Sequence, residues 1–77
     1  MQSQATDADQ QPQKLLFRVD EACVALGIGR TSFYQEERAG RLRTIRAAGR
    51  KLVYWRDLES YCEDRRAEAE RLRERLH

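Results

Sequence analysis

The sequence predicts a small, mainly helical domain that contains one β-hairpin. Its 77 residues, of which 40% are hydrophobic, allow a single domain with a modest core. Apolar residues recur at helical spacing on both sides of Gly27, and β-favouring segments flank Ala48 and Gly49. Charged residues make up 36% of the chain, so the helices and the hairpin are expected to expose strongly polar outer faces.

Positive charge is concentrated in the middle of the chain. Between residues 27 and 56, eight basic residues stand against two acidic ones, a net charge of +6, although the whole chain carries only +2. In residues 62–77, five basic and five acidic residues cancel. A merely solvated face would mix the two signs more evenly, so this segregation favours a surface that binds a polyanion.

The sequence disfavours several classes of function. His77 is the sole histidine, the acidic residues lie on arginine-rich helices, and there is no glycine-rich phosphate loop, so we expect neither an enzyme nor a cofactor. Cys23 and Cys62 lack the closely spaced ligands of a metal site, and we expect both thiols to be reduced and buried in helices. No signal peptide or membrane-length apolar run occurs, which predicts a cytoplasmic protein without a membrane partner.

The N-terminal residues 1–14 are predicted to be a disordered leader. They include five glutamines and one proline, and they show no periodic apolar positions. Leu15, Leu16 and Phe17 then form a short apolar run, which predicts an extended segment that packs on the domain. The folded domain is expected to span residues 15–61.

A first helix is predicted before a turn at Gly27. Asp20 is expected to cap this helix, because its carboxylate can accept hydrogen bonds from free backbone N–H groups at the helix start. Gly27 is expected to end the helix in the left-handed conformation, with Ile28 filling the corner. The residues at helical spacing that should form its apolar stripe are Val19, Ala22, Cys23 and Leu26.

A second helix is predicted over residues 30–39, with Phe33 in the core and Gly40 after its end. Two short helices across so tight a turn are the pattern of a helix-turn-helix, whose second helix enters the DNA major groove. An ordinary two-helix hairpin of an all-α domain is the alternative. The residues of the second helix that remain outside the core, and are therefore candidate DNA contacts, are Arg30, Thr31, Ser32, Tyr34 and Gln35.

A β-hairpin is predicted next, with Ile45 and Val53 in its two arms and Ala48-Gly49 at its turn. A basic hairpin directly after a recognition helix is the pattern of a wing. Such a wing suits contact with phosphates, or insertion of an arginine into a narrow minor groove. The basic residues expected to bind DNA from this region are Arg43, Arg46, Arg50 and Lys51.

A last helix is predicted to start at Arg56-Asp57 and to pack back on the domain through Leu58, Tyr61 and Cys62. Residues 62–77 should continue it as a charged C-terminal helix with only a thin apolar stripe. Two interpretations of this extension stay open: a solvated helix that frays at its end, or a short helix for self-association or partner binding. The stripe consists of Ala69, Leu72 and Leu76.

The order of these parts resembles the excisionase-type DNA-binding domains of bacteria and phages, which are recombination directionality factors related to the MerR-like winged helix-turn-helix group. The resemblance covers residues 16–61 and is carried by the motifs VDEACVALGIGRTSFY, AGRLRTIR and GRKLVYWRDLESY. It implies a winged helix-turn-helix that binds repeated sites, bends DNA and directs an integrase toward excision in a bacterial host. It places the five second-helix candidates on the recognition helix, and Arg46, Arg50 and Lys51 in the wing.

The resemblance implies three partners, namely double-stranded DNA, the integrase of a phage or mobile element, and neighbouring copies of the chain on DNA. Four residues depart from the family pattern. Arg56 stands where a serine-type cap usually precedes the Asp-Leu pair, which leaves either Asp57 as the cap of the last helix or a weak cap. Gly29 stands where a serine-type cap is usual, and Glu36 and Glu37 replace apolar residues that are common late in the recognition helix. A small winged-helix transcriptional regulator is an alternative function, because it would bind DNA through the same residues. A protein-interaction module built on residues 62–77 is a third.

Overall fold

The computed structural model describes residues 13–76, which form three helices and one three-stranded antiparallel sheet. In chain order the elements are β1 (Leu16–Arg18), α1 (Val19–Leu26), α2 (Arg30–Arg38), β2 (Ile45–Ala47), β3 (Arg50–Tyr54) and α3 (Trp55–Arg75). The prediction of a mainly helical chain with a small hairpin is confirmed. The predicted leader at residues 1–14 lies outside the described residues except for its last two positions, and His77 lies outside them as well.

The extended segment predicted at residues 15–17 corresponds to β1, which forms one sheet with the two strands of the hairpin. β1 pairs antiparallel with β3, so that Phe17 lies opposite Val53, and the strand order is β1-β3-β2. β3 therefore lies in the centre, between the N-terminal strand and its hairpin partner. A strand of three residues is too short to show a periodic pattern, which is why the sequence indicated only an extended segment.

The two faces of the sheet have different environments. Val53 in the central strand is completely buried, and Phe17 beside it packs against the core. Side chains alternate between the faces along a strand. On the opposite face Leu16, Ile45 and Tyr54 remain 37%, 42% and 41% exposed. The sheet therefore covers the core with one face only.

The turn between β2 and β3 has two residues, Ala48 and Gly49, and both adopt positive φ angles of 53° and 72°. Positive φ at both central positions defines the type I′ turn, whose twist matches that of the flanking strands. The hairpin and its turn position were predicted correctly. Ala48 adopts this left-handed conformation although it is not a glycine.

The first helix begins two residues earlier than a cap at Asp20 would give, and Asp20 does not cap it. α1 starts at Val19 directly after β1, and the capping position belongs to Arg18. The Arg18 backbone N–H donates to the Glu21 carboxylate at 2.9 Å, so the acidic side chain at the helix start binds the N–H of the capping residue itself. The end of the helix agrees with the prediction. Gly27 is left-handed, with φ 74°, and its N–H donates to the Cys23 carbonyl at 2.8 Å.

One small core joins the three helices with β1 and β3. Phe33 of α2 is completely buried, as predicted, and contacts the stripe of α1. Leu42, in the loop after α2, is 2% exposed and belongs to the same cluster, although the sequence assigned it no core role. The buried residues of this cluster are Val19, Ala22, Cys23, Phe33, Leu42, Val53 and Leu58.

The last helix starts at Trp55, one residue before the predicted start, and Asp57 lies in its first turn rather than at its cap. The helix is continuous to Arg75, about 31 Å at 1.5 Å per residue. Leu58 is buried and Tyr61 half-buried, but Cys62 is exposed, so the prediction that this thiol is buried was wrong. Beyond Arg65 every residue up to position 76 is exposed, and the helix projects away from the domain.

The turn offers a direct test of the hairpin geometry. A left-handed backbone costs alanine roughly 1–2 kcal/mol, whereas asparagine tolerates it well. Ala48→Asn should therefore raise the free energy of unfolding by about 1 kcal/mol, measured as a higher urea midpoint at constant slope. Ala48→Val is the matched control and should lower the midpoint, because β-branched residues disfavour positive φ. The opposite order of the two variants would contradict the type I′ turn.

Candidate nucleic-acid interface

A shallow groove of about 330 Å³ lies between the start of α1, the exposed side of α2 and the β2–β3 hairpin. Four of its basic residues, one on α2 and three on the hairpin, were candidates from the sequence, and a fifth basic residue comes from β1. Its single acidic residue lies in α1. The residues that line this basic groove are Arg18, Val19, Asp20, Arg30, Tyr34, Arg46, Gly49, Arg50 and Lys51.

The start of α2 forms one wall of the basic groove. Arg30 is the first residue of the helix, and Gly29 before it offers no side chain as a cap. The first backbone N–H groups of a helix have no partner within the helix, and they carry its positive dipole end. Thr31 and Ser32 follow in this turn, and both are exposed. The first turn of α2 therefore presents donors and positive charge to the outside.

The middle of α2 is more varied. Gln35 is exposed, as predicted. Tyr34 lies one turn after Arg30 on the same side of the helix and is half-buried. Its ring meets the ring of Phe33 edge-to-face, with centroids 5.4 Å apart. Tyr34 thus belongs both to the groove wall and to the border of the core.

The hairpin forms the opposite wall. Arg46 and Arg50 are exposed and line the groove, with Arg50 directly after the turn. Arg18 joins them because β1 pairs with β3, which sets Arg18 opposite Leu52. Sequence reasoning missed Arg18 as a site residue. The only available signal was a basic residue immediately before the first helix, and its proximity to the hairpin depends on the strand pairing.

Lys51 has a different environment from the two hairpin arginines. Its Nζ donates to Glu37 Oε1 at 3.0 Å and lies 5.1 Å from the centre of the Tyr34 ring. The Thr44 hydroxyl donates to the other oxygen of the same carboxylate at 2.6 Å. The hydrogen bond from Thr44, and then that from Lys51, hold the pKa of Glu37 below its ordinary value. Lys51 lines the groove, but its ammonium group is bound within the protein.

Glu36 makes a second set of polar contacts on the other side of α2. Arg41 donates to its two carboxylate oxygens at 2.8 and 3.0 Å, and the Tyr61 hydroxyl donates at 3.1 Å. The Arg65 guanidinium of α3 lies 3.7 Å away. The Arg41 bonds above all, with the Tyr61 bond second, lower the pKa of Glu36 to about 2. The two glutamates that depart from the family pattern therefore connect α2 to its neighbours.

Arg43 lies apart from the other predicted site residues. It precedes β2 and borders a different groove of about 430 Å³, between the α2–β2 loop and α3. That groove has basic residues on one side and Asp57 and Asp64 on the other. Mixed charge makes it a poor surface for a polyanion. The structure therefore brings together Arg30, Tyr34, Arg46, Arg50 and Lys51, but not Arg43.

Asp20 is the one acidic side chain that lines the basic groove, and it forms an ion pair with Arg30. Both side chains are exposed, 74% for Asp20 and 58% for Arg30. An ion pair so open to water is worth little, of the order of 0–1 kcal/mol. Arg30 can therefore exchange Asp20 for an external anion at low cost.

Among residues 13–76, no three histidine, cysteine or acidic side chains lie close enough to hold a metal ion. Within the same range no helix combines the length and apolarity needed to cross a membrane. No protein-family model matches the chain, and no significant match is found among curated proteins or solved structures.

Removing the acidic charge should strengthen polyanion binding if the groove is the binding surface. Asp20→Asn removes a negative charge from the groove, so this variant should elute from immobilised heparin at a higher salt concentration than the native chain. Glu70→Gln is the matched control, since it makes the same charge change on the projecting part of α3. Equal elution of the two variants would show that binding depends on net charge rather than on the groove.

Proposed function

We propose that this chain is a winged helix-turn-helix protein that binds double-stranded DNA through the basic groove. In this proposal α2 is the recognition helix and the β2–β3 hairpin is the wing. The finer proposal is an excisionase-type architectural protein, which binds repeated sites, bends the DNA and directs an integrase toward excision. Residues 16–61 carry the resemblance that motivates the finer proposal.

One observation supports DNA binding most strongly. Arg18, Arg30, Arg46 and Arg50 come from β1, α2 and both strands of the hairpin, yet they line one groove. All four side chains are exposed. Arginines clustered along one groove are the electrostatic footprint of a surface that binds phosphates, and they neutralise charge along a nucleic-acid backbone.

The start of α2 is suited to enter the major groove. The major groove of B-DNA is about 12 Å wide and admits an α-helix. Arg30 stands at the leading end of α2 and can form two hydrogen bonds with a guanine edge. Thr31 and Ser32 are exposed beside it and can share base and phosphate contacts, with Gln35 and Tyr34 one turn further along. The uncapped N–H groups at this end also favour a phosphate.

The hairpin is suited to contact the sugar-phosphate backbone. Arg46 and Arg50 flank a two-residue turn whose residues, Ala48 and Gly49, have no hydrogen-bonding side chains. Such a tip reads charge and groove width rather than base identity. Arg18 extends this positive surface toward β1 and adds a phosphate contact to those predicted from the sequence.

Binding to repeated sites follows from the size of the chain. A domain this small covers roughly one half-site, so specificity requires several copies side by side or a partner protein. Leu72 on the projecting part of α3 and Leu76 directly after it are 52% and 85% exposed. Both side chains are accessible to a neighbouring protein on the DNA. In the excisionase proposal such neighbours are further copies of the chain or an integrase.

Two substitutions separate the roles of helix and hairpin. Arg30→Ala should lose about 1–3 kcal/mol of discrimination between a selected duplex and its shuffled counterpart, because a bidentate base contact is removed. Arg50→Ala should weaken binding to both duplexes equally and reduce DNA bending in a circular-permutation gel assay. The dependence of the logarithm of the binding constant on the logarithm of salt concentration (the salt slope) should become shallower by about one unit. Arg71→Ala, on the projecting helix, makes the same charge change as a control.

The two variants also show how the proposal would fail. Unchanged affinity and salt slope in both Arg30→Ala and Arg50→Ala would show that DNA does not enter the basic groove. If Arg71→Ala matched Arg50→Ala, binding would depend on overall charge alone. A native chain that shows no salt-dependent DNA binding would overturn the proposed function itself.

A further inference from the structure

The side chains of α2 contact the hairpin at two places, one near its base and one nearer the turn. Few backbone positions of α2 approach β2 or β3, so the connection depends on side chains. Near the base of the hairpin, Val53 packs in the core cluster with Phe33. Lys51 is the next residue toward the tip on the same face of β3, because residues two apart share a face. Lys51 is not in the core and is bound instead by Glu37.

Closer to the turn than the apolar core, polar side chains connect the hairpin to α2. Glu37 receives one hydrogen bond from Thr44 at 2.6 Å and one from Lys51 at 3.0 Å. The side chains of Glu37 and Lys51 are 24% and 32% exposed, so water screens this ion pair less than a surface pair. The ammonium group also lies over the Tyr34 ring. These four residues, here called the clasp, connect α2, the loop before β2, and β3.

The clasp lies between the two walls of the basic groove. Lys51 pairs across the hairpin with Arg46 and follows Arg50 directly. Tyr34 lies one turn from Arg30 on the same side of α2. A fixed Lys51 therefore fixes the separation between the arginine at the helix start and the two arginines of the hairpin.

We infer that Glu37 and Lys51 are positioning residues, which hold the outer half of the hairpin against α2 and thereby set the spacing of the DNA-binding arginines. Lys51 then acts as an internal tether rather than as a phosphate contact. This inference rests on the proposed function. It assigns a purpose to Glu37, whose carboxylate binds a basic residue that lines the groove.

The test uses a variant that breaks the clasp at constant net charge. Glu37→Gln combined with Lys51→Met removes one negative and one positive charge, so overall electrostatic attraction to DNA is preserved. The probes are a duplex that the native chain selects from a random pool, and its shuffled counterpart. We expect discrimination between the two duplexes to fall roughly tenfold, a size typical of residues coupled in one network. The salt slope should stay unchanged, because no phosphate contact is lost.

Two further variants distinguish positioning from other roles. Thr44→Val changes no charge and removes one of the two partners of the carboxylate, so it should lower discrimination in the same direction by a smaller factor. The exchanged pair, Glu37→Lys with Lys51→Glu, restores the attraction, and Thr44 can accept a hydrogen bond from a lysine. This exchanged pair should recover most of the lost discrimination. Failure to recover it, or a salt slope lower by one unit in the double variant, would show that Lys51 contacts DNA itself.

An experiment without DNA tests whether the contact between Glu37 and Lys51 holds the hairpin in the free protein. Amide hydrogen exchange at Ala47 and Arg50, the hydrogen-bonded pair beside the turn, should become faster in the charge-neutral double variant, while exchange at Phe17 and Val53 stays as in the native chain. Unchanged exchange and unchanged discrimination, in a chain that still binds DNA, would overturn the positioning role alone. Loss of DNA binding by the native chain would instead overturn the proposed function, and the positioning role with it.

Discussion

The structure depends on two adjacent carboxylates late in α2, which connect this helix to different neighbours. Glu36 is bound by Arg41 and by the Tyr61 hydroxyl of α3, and Glu37 is bound by Thr44 and Lys51 of the hairpin side. Only seven of the residues that the structure describes are buried in the core cluster, so apolar packing alone gives limited control over the angles between elements. Half-buried hydrogen bonds to charged groups are stronger than neutral ones and depend on direction, so they supply this control.

The same two carboxylates shape the electrostatics of the basic groove. They are the only acidic residues between positions 27 and 56, and each is used within the protein by a basic partner. Within the described part of the chain, Arg18, Arg46 and Arg50 have no ion-pair partner, and Arg30 has only the exposed Asp20. Positive charge therefore accumulates at the groove because acidic residues are few in this segment and both of them are paired within the protein.

Periodicity and turn chemistry predicted most of the fold. The stripe of α1, the left-handed Gly27, the buried Phe33 and the hairpin turn all follow from local sequence rules and are confirmed. Features that depend on distant partners could not be predicted. Arg18 reaches the groove only because β1 pairs with β3, and Lys51 differs from Arg50 only because Glu37 lies nearby. Cys62 continued a helical stripe in the sequence, but within residues 13–76 its side chain is exposed.

The most direct test of the central claim follows the arginine side chains by NMR during a titration with duplex DNA at low salt. Binding through the basic groove predicts that the Nε–Hε signals of Arg18, Arg30, Arg46 and Arg50 shift together. The signals of Arg71 and Arg73 on the projecting helix should stay in place. Shifts confined to the arginines of α3, with the groove signals unchanged, would contradict the proposed interface.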